Sequence, residues 1–209
     1  CIWADEKDYE YLNKIEFFKK RFEIVKRARK NSRKKATQKF SELPYRFIEI
    51  RKKFNPAIIV PTTSSERRKY LPVGYLDKDS IITAPNQVIY DAPLFVFSIL
   101  SSRMHCLWLE TVGGKLRTDY RYSSEIVYNT FPIKNLENSE INKLNELALK
   151  VIDEREKNSE KTISELYDPE VMPTGLLNLH EKIDTIIESF YSEKEIYSDD
   201  DRIEILFKN

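Results

Sequence analysis

The hydrophobic periodicity of this chain changes twice, and these changes restrict its fold class. Over residues 8–30, apolar residues recur at steps of three and four, which predicts an amphipathic helix. The middle of the chain instead carries short β-branched runs, such as residues 57–60, which end at Pro61. After residue 135 the helical step returns in two stretches. This order predicts an α+β protein, with a small mixed sheet and flanking helices followed by a small all-helical domain.

The middle region is punctuated by turn residues that divide it into short elements. We predict strands over residues 70–76, 80–84 and 87–90, and a buried helix over residues 93–109. The pair Gly113-Gly114 ends that helix, and residues 115–122 alternate like one further strand. The predicted domains are therefore residues 1–134 and residues 135–209.

Charge divides the chain at the same place. Residues 1–134 contain 26 Lys and Arg against 15 Asp and Glu, a net of +11, and residues 135–209 contain 9 against 19, a net of −10. A basic module of this kind is typical of proteins that bind a phosphate backbone, because each contact releases condensed counterions. A solvated lysine-rich helix with no partner has the same composition, so charge alone does not decide the function.

The connector at residues 61–70 contains a run of hydroxyl side chains followed by three cations. Serine, threonine, arginine and lysine are the residues that bind phosphate oxygens and set a protein's register on a duplex. A plain surface loop has the same composition. The predicted DNA-backbone contacts are Ser64, Ser65, Arg67, Arg68 and Lys69, together with Arg33, Lys34 and Lys35 in the basic stretch after the first helix.

A second set of polar residues follows the double glycine. If residues 115–122 form one strand, Lys115, Arg117, Asp119 and Arg121 project from the same face. Arginine can donate to the O6 and N7 atoms of guanine, and aspartate can accept from the amino group of the paired cytosine. We therefore predict these four residues as base-reading. The alternative is a solvated ladder of salt bridges on a sheet face.

The same sequence carries few of the groups that catalysis needs. The two cysteines, Cys1 and Cys106, and the two histidines, His105 and His180, lack the short spacings of a usual four-ligand zinc site. An Asn-Pro-Pro-aromatic motif and a glycine-rich cofactor loop are both absent from the sequence, which has four glycines. We expect no cofactor or metal in this chain and a reducing, cytoplasmic location. Because the chain opens on Cys1-Ile2-Trp3 without a methionine, we expect a longer parent.

Four ordered blocks resemble one known family. They are Pro61-Thr-Thr-Ser-Ser-Glu-Arg-Arg-Lys-Tyr70, Leu100-Ser-Ser-Arg-Met-His105 with Trp108, Gly114-Lys-Leu-Arg-Thr-Asp-Tyr-Arg-Tyr-Ser123, and Tyr128-Asn-Thr-Phe-Pro132. They resemble the target recognition domain of MmeI-like (type IIL) restriction-modification enzymes and related adenine-specific DNA methyltransferases. Residues 166–173 and the helix that follows resemble the family's C-terminal helical domain, so the resemblance covers nearly the whole chain.

This resemblance implies a function for the chain within its parent. In such enzymes one polypeptide carries a nuclease that needs Mg²⁺, a methyltransferase that uses S-adenosylmethionine, and a module that recognises double-stranded DNA for both. The resemblance places the family's specificity pair at Arg117 and Asp119, with Arg121 as a further base-reading residue. The basic-then-acidic order implies that Arg117 reads a guanine and Asp119 its paired cytosine.

Two other functions remain open at this point. One is a specificity subunit that provides sequence recognition to separate methyltransferase chains. The other is an RNA-binding or protein-interaction module that uses the basic helix alone. Binding to duplex DNA, single strands and RNA at several salt concentrations distinguishes these possibilities.

Overall fold

The computed structural model describes residues 3–49, 55–82 and 84–209. The chain separates into two compact units, Cys1–Lys52 and Lys53–Asn209. The domain boundary predicted at residue 134 therefore lies inside the second unit. Within the described part of the chain, no helix is both long and apolar enough to cross a membrane.

The first unit is helical and contains α1 (Glu6–Leu12), α2 (Glu16–Lys30) and α3 (Lys35–Gln38). Its small core contains Ala4, Phe22 and Tyr45. The prediction of one helix over residues 8–30 was wrong, because α1 ends at Leu12 and Ile15, the residue before α2, has extended backbone. The apolar stripe continues across this break, so hydrophobic periodicity did not reveal it.

The second unit contains two three-stranded antiparallel sheets, where one mixed sheet was predicted. The first has the order β3-β1-β4, and the second has the order β2-β6-β5. The α+β class is confirmed, and so are strands at residues 57–60 and 87–90. The strand predicted at 80–84 does not form at residues 80–82 or 84, and Thr83 lies outside the described residues. The strands are β1 (Ala57–Val60), β2 (Thr63–Ser64), β3 (Gly74–Leu76), β4 (Gln87–Tyr90), β5 (Gly114–Leu116) and β6 (Asp119–Arg121).

The apolar segment after β4 forms two helices, α4 (Phe95–Leu100) and α5 (Arg103–Val112). The prediction of one continuous helix was wrong because the chain turns at Ser101 and Ser102. The Ser102 hydroxyl caps α5 by accepting a hydrogen bond from the His105 backbone N–H at 3.2 Å. This break gives α5 its own direction, and α5 is the helix from which the β5–β6 hairpin extends.

The acidic third of the chain is helical, as predicted. It consists of α6 (Asn138–Lys157), α7 (Ile163–Leu166), α8 (Thr174–Ser189) and α9 (Asp199–Lys208). Leu144 and Ile183 from these helices share one hydrophobic core with Leu100 and Met104. Buried Arg155 adds a polar link, since its guanidinium donates to the Val73 carbonyl at 2.7 Å. The helices thus directly support the part of the second unit that contains the sheets.

Candidate nucleic-acid interface

The segment predicted as one strand is a tight hairpin. β5 and β6 pair antiparallel, with Gly114 opposite Arg121, Lys115 opposite Tyr120 and Leu116 opposite Asp119. Arg117 and Thr118 form a two-residue loop between them. The prediction of a continuous strand over residues 115–122 was therefore wrong. The loop lacks the Asn-Gly or Asp-Gly pair that normally reveals such a turn, which explains why the pattern did not predict it.

The hairpin register assigns the charged side chains to different faces. Residues directly opposite each other on neighbouring strands share a face, and successive residues alternate. Asp119 and Arg121 therefore share one face, and Lys115 lies on the other. That other face is the inner one, because Lys115 pairs with Tyr120, and Tyr120 packs against the core. The prediction of four residues on one face was wrong, and only Asp119 and Arg121 satisfy it.

Arg117 is at the tip of the hairpin and has an unusual backbone. Its φ of 60° lies in the left-handed region, which costs a non-glycine residue about 1–2 kcal/mol. Positive φ at the first loop position alone fits a type II′ turn, which matches the twist of the flanking strands. Arg117 and Arg121 are exposed and Asp119 is half-buried. Within residues 3–49, 55–82 and 84–209, no ion pair involves any of these three side chains.

The cations of the loop at residues 65–69 are paired with groups from the acidic third of the chain. The Arg67 guanidinium lies 2.6 Å from the Glu170 carboxylate, and the Lys69 ammonium lies 3.4 Å from the Glu181 carboxylate. Between them, the Arg68 guanidinium donates to the Ser164 hydroxyl at 2.8 Å. All of these contacts are at the surface, where such pairs contribute about 0–1 kcal/mol each. The cations therefore have protein partners that phosphate can displace.

The remaining predicted backbone contacts differ in accessibility. Ser64 is only 4% exposed, because it lies on β2 opposite Tyr120, on the inner face of the sheet. Ser65 is half-buried, and its carbonyl and hydroxyl shape the turn that carries Arg67 and Arg68. In the first unit, Arg33, Lys34 and Lys35 are exposed where α2 leads into α3.

Helix α5 anchors the hairpin through contacts that sequence analysis did not predict. Tyr122, the residue after β6, is 3% exposed, and its hydroxyl is 3.0 Å from His105 Nε2. Further along, the Trp108 indole donates to the Thr130 hydroxyl at 3.0 Å. The polar partner of His105 was not predicted from the sequence. The available signal was a histidine on an apolar helix close to an aromatic run at residues 120–122.

A buried carboxylate lies at the base of the 65–69 loop. Asp184 accepts hydrogen bonds from the Tyr70 hydroxyl and from the Arg103 backbone N–H, each at 2.7 Å. Burial raises the pKa of Asp184 to about 7, although both hydrogen bonds oppose that shift. In the described residues, no group of three or more His, Cys, Asp or Glu side chains is arranged to hold a metal. Asp184 therefore acts as a structural hydrogen-bond acceptor.

Comparison with known proteins agrees with this arrangement. Residues 1–135 match the family model for the MmeI target recognition domain, and residues 136–209 match that for the MmeI C-terminal domain.

One relative is DNA methyltransferase A of Bacillus subtilis (strain 168), which is 40% identical over 208 residues. A second is the solved structure of the type IIL restriction-modification enzyme MmeI in complex with DNA, at 32% identity and a TM-score of 0.86. Each match covers 100% of this chain, which spans 24% of the first relative and 28% of the second. The chain therefore belongs to the MmeI family and comprises its target recognition domain and its C-terminal domain.

Proposed function

We propose that this chain is the sequence-reading module of a larger restriction-modification DNA methyltransferase. The module binds duplex DNA at a short site and directs adenine methylation by the parent's methyltransferase domain. One observation carries the proposal: the β5–β6 hairpin carries exposed Arg117 and Arg121 and half-buried Asp119, all without ion-pair partners among the described residues. Leaving charges unpaired on an otherwise well-packed module suits a surface whose partners come from another molecule.

The hairpin has a suitable shape for the major groove. That groove is about 12 Å wide and admits a two-stranded β-ribbon, so a hairpin can enter it tip first. Arg117 at the tip reaches furthest and donates to guanine, while Asp119 accepts from the paired cytosine. Arg121 shares the face of Asp119 and reads a neighbouring base. Lys115 is exposed but lies on the opposite face of the hairpin from Asp119 and Arg121, so it contacts phosphate and does not read a base.

Phosphate contacts come from the exposed cations around this hairpin and in the first unit. Arg67, Arg68 and Lys69 exchange their surface partners for phosphates when DNA binds, with Ser65 supporting the turn. Arg33, Lys34 and Lys35 add sequence-independent contacts. Ser64 is left out of this set because its side chain is buried.

The chemistry belongs to the parent. S-adenosylmethionine supplies the methyl group there, and Mg²⁺ serves cleavage if the parent cleaves. The partners of this chain are duplex DNA and the parent's own methyltransferase domain, in the cytoplasm. This proposal is supported by family membership and by the names of the two relatives, a DNA methyltransferase and a restriction-modification enzyme bound to DNA.

The test exchanges the two residues of the specificity pair. Arg117→Glu with Asp119→Arg in the full-length parent is expected to replace guanine by cytosine at one position of the methylated site, read by modified-base sequencing. The matched control is Lys143→Glu with Glu146→Lys, which reverses two exposed charges on α6 and keeps the net charge. The control is expected to keep the original site. An unchanged site in the Arg117/Asp119 exchange would remove the assignment.

A further inference from the structure

The hairpin is too small to fix its own direction. β5 and β6 have three residues each, β6 is paired on its other edge with the two-residue strand β2, and two-stranded hairpins are by themselves only marginally stable in water. Base reading nevertheless requires side chains to be held close to one productive geometry. The direction in which Asp119 and Arg121 point must therefore be set by the contacts of the hairpin with the rest of the second unit.

Both ends of the hairpin are tied to α5. At the β5 end, a Cβ added at Gly113 would lie 2.4 Å from the Leu109 carbonyl oxygen, so the chain leaves the helix with no room for a side chain. At the β6 end, the Tyr122 backbone N–H donates to the Thr62 carbonyl at 2.8 Å, and the Tyr122 side chain enters the core. The Tyr122 hydroxyl then reaches His105 Nε2 on α5 at 3.0 Å.

The environment of His105 makes this hydrogen bond specific. The ring is fully buried and packs edge-on against Phe131, with the ring centres 4.8 Å apart. In the part of the chain that the structure describes, Nδ1 has no hydrogen-bond partner, so Tyr122 provides the only side-chain polar contact of the ring. Burial lowers the pKa of His105 to about 3, so the ring is neutral at physiological pH.

We propose that His105 and Tyr122 are positioning residues for DNA reading: their buried hydrogen bond sets the direction of β6 and therefore of Asp119 and Arg121. Tyr122 is adjacent to Arg121 and alternates with it across the strand, so a rotation at Tyr122 moves Arg121 directly. This inference rests on the proposed function and deepens it. It assigns a specificity role to two residues that touch no base.

The test compares two tyrosines that each lose one hydroxyl. Tyr122→Phe removes the bond to His105, and Tyr191→Phe removes a hydrogen bond of 2.7 Å to the Pro132 carbonyl, which is not part of the hairpin. Each variant of the full-length parent methylates a plasmid library with a randomised window, which is then read by modified-base sequencing. Thermal unfolding of both variants is measured alongside.

Both variants are expected to lose a similar amount of thermal stability, because each loses one hydrogen bond. Only Tyr122→Phe is expected to reduce discrimination, with about tenfold more methylation of sites that carry a wrong base at the positions assigned to Asp119 and Arg121. Equal discrimination in the two variants would overturn the proposal. The Arg117/Asp119 exchange in the same library tests the proposed function separately, since its outcome does not depend on Tyr122.

A double variant separates positioning from stability. His105→Leu with Tyr122→Phe removes both polar partners, so no buried hydroxyl or ring nitrogen of this pair is left unpaired. We expect it to unfold at a higher temperature than Tyr122→Phe alone. It should still methylate sites with wrong bases as often as Tyr122→Phe does, because the His105–Tyr122 hydrogen bond that orients β6 is still missing. Recovery of discrimination together with stability would show that the bond serves folding only. If Tyr122→Phe does not fold, discrimination is compared between the double variant and the wild-type parent only.

Discussion

Two basic regions of this protein differ in whether their charges have partners. In the hairpin, Arg117 and Arg121 are exposed, and no described residue forms an ion pair with them. In the loop at residues 65–69, Arg67 and Lys69 are paired with Glu170 and Glu181 from the acidic third of the chain. A count of charged residues in the sequence does not distinguish the two regions, because both are rich in Lys and Arg. This difference supports our proposal that the hairpin reads base edges, while the loop exchanges its carboxylate partners for phosphates.

This difference predicts unlike effects of removing one arginine. Arg117→Ala is expected to weaken binding to the recognition site by about 1–3 kcal/mol and to leave binding to random duplex almost unchanged, because it removes a base contact. Arg67→Ala is expected to weaken both equally and to reduce the salt dependence by about one counterion, because it removes a phosphate contact. Titrations of the parent with both duplexes at several salt concentrations measure this. Equal losses of affinity for both duplexes in both variants would contradict the proposed difference between the hairpin and the loop.

The attachment of the hairpin to α5 is tested by two adjacent glycines. Gly113→Ala places a Cβ 2.4 Å from the Leu109 carbonyl oxygen and is expected to cost about 1–3 kcal/mol in the free energy of unfolding. Gly114→Ala meets only the Arg121 Cβ at 3.8 Å, an ordinary contact, and is expected to change stability by less than about 0.5 kcal/mol. Urea unfolding of both variants provides the measurement. Similar stability for the two would contradict the close packing at Gly113.

The anchors of the two regions respond differently to pH. Tyr70, at the end of the loop, is held by Asp184, whose pKa is raised to about 7, whereas His105 under the hairpin has a pKa lowered to about 3. Since burial disfavours the charged carboxylate, the stability from Asp184 is complete below the ordinary aspartate pKa of 3.8 and is lost as pH rises through about 7.

We therefore expect the stability of Asp184→Asn relative to wild type to increase between these two pKa values and to be constant above them. Urea unfolding at a series of pH values measures this difference, and the contribution of His105 cancels in it. A difference that is independent of pH would show that Asp184 does not titrate in this range.

The smallest effect on DNA affinity is expected from removing one carboxylate partner of a cation in the 65–69 loop. Glu170→Gln removes the closer of two carboxylates beside Arg67, since Asp168 remains 3.9 Å away, and is expected to raise the affinity for random duplex by no more than about fivefold at low salt, because exposed ion pairs contribute about 0–1 kcal/mol. Glu160→Gln is the matched control, since this exposed carboxylate makes no ion pair with any described residue. Equal effects of the two variants would mean that overall charge, rather than the pair, sets the affinity.

Sequence reasoning identified the features that depend on local pattern. The α+β class, the strand at residues 57–60, the helical acidic third and the family were all predicted correctly. Each rests on periodicity or on a contiguous motif. The break at Ser101 and Ser102 was missed because the apolar stripe continues across it, and the hairpin was missed because Arg117-Thr118 is not a usual turn pair.

The paired state of the loop was not predictable for a different reason. Arg67 and Glu170 are separated by 103 positions in the sequence and come together only when the acidic helices pack against the rest of the second unit. The bond between His105 and Tyr122 likewise depends on the direction in which the hairpin leaves α5. Such contacts are set by tertiary packing and leave no spacing signal in one sequence.

The central claim is that Arg117 reads a guanine through the major groove. The most direct measurement replaces that guanine by 7-deazaguanine, which lacks the N7 acceptor, and compares the affinities of the wild-type parent and of Arg117→Ala. We predict about a tenfold loss for wild type and no further loss for the variant, since its contact is already absent. An equal loss in both proteins would contradict the claim.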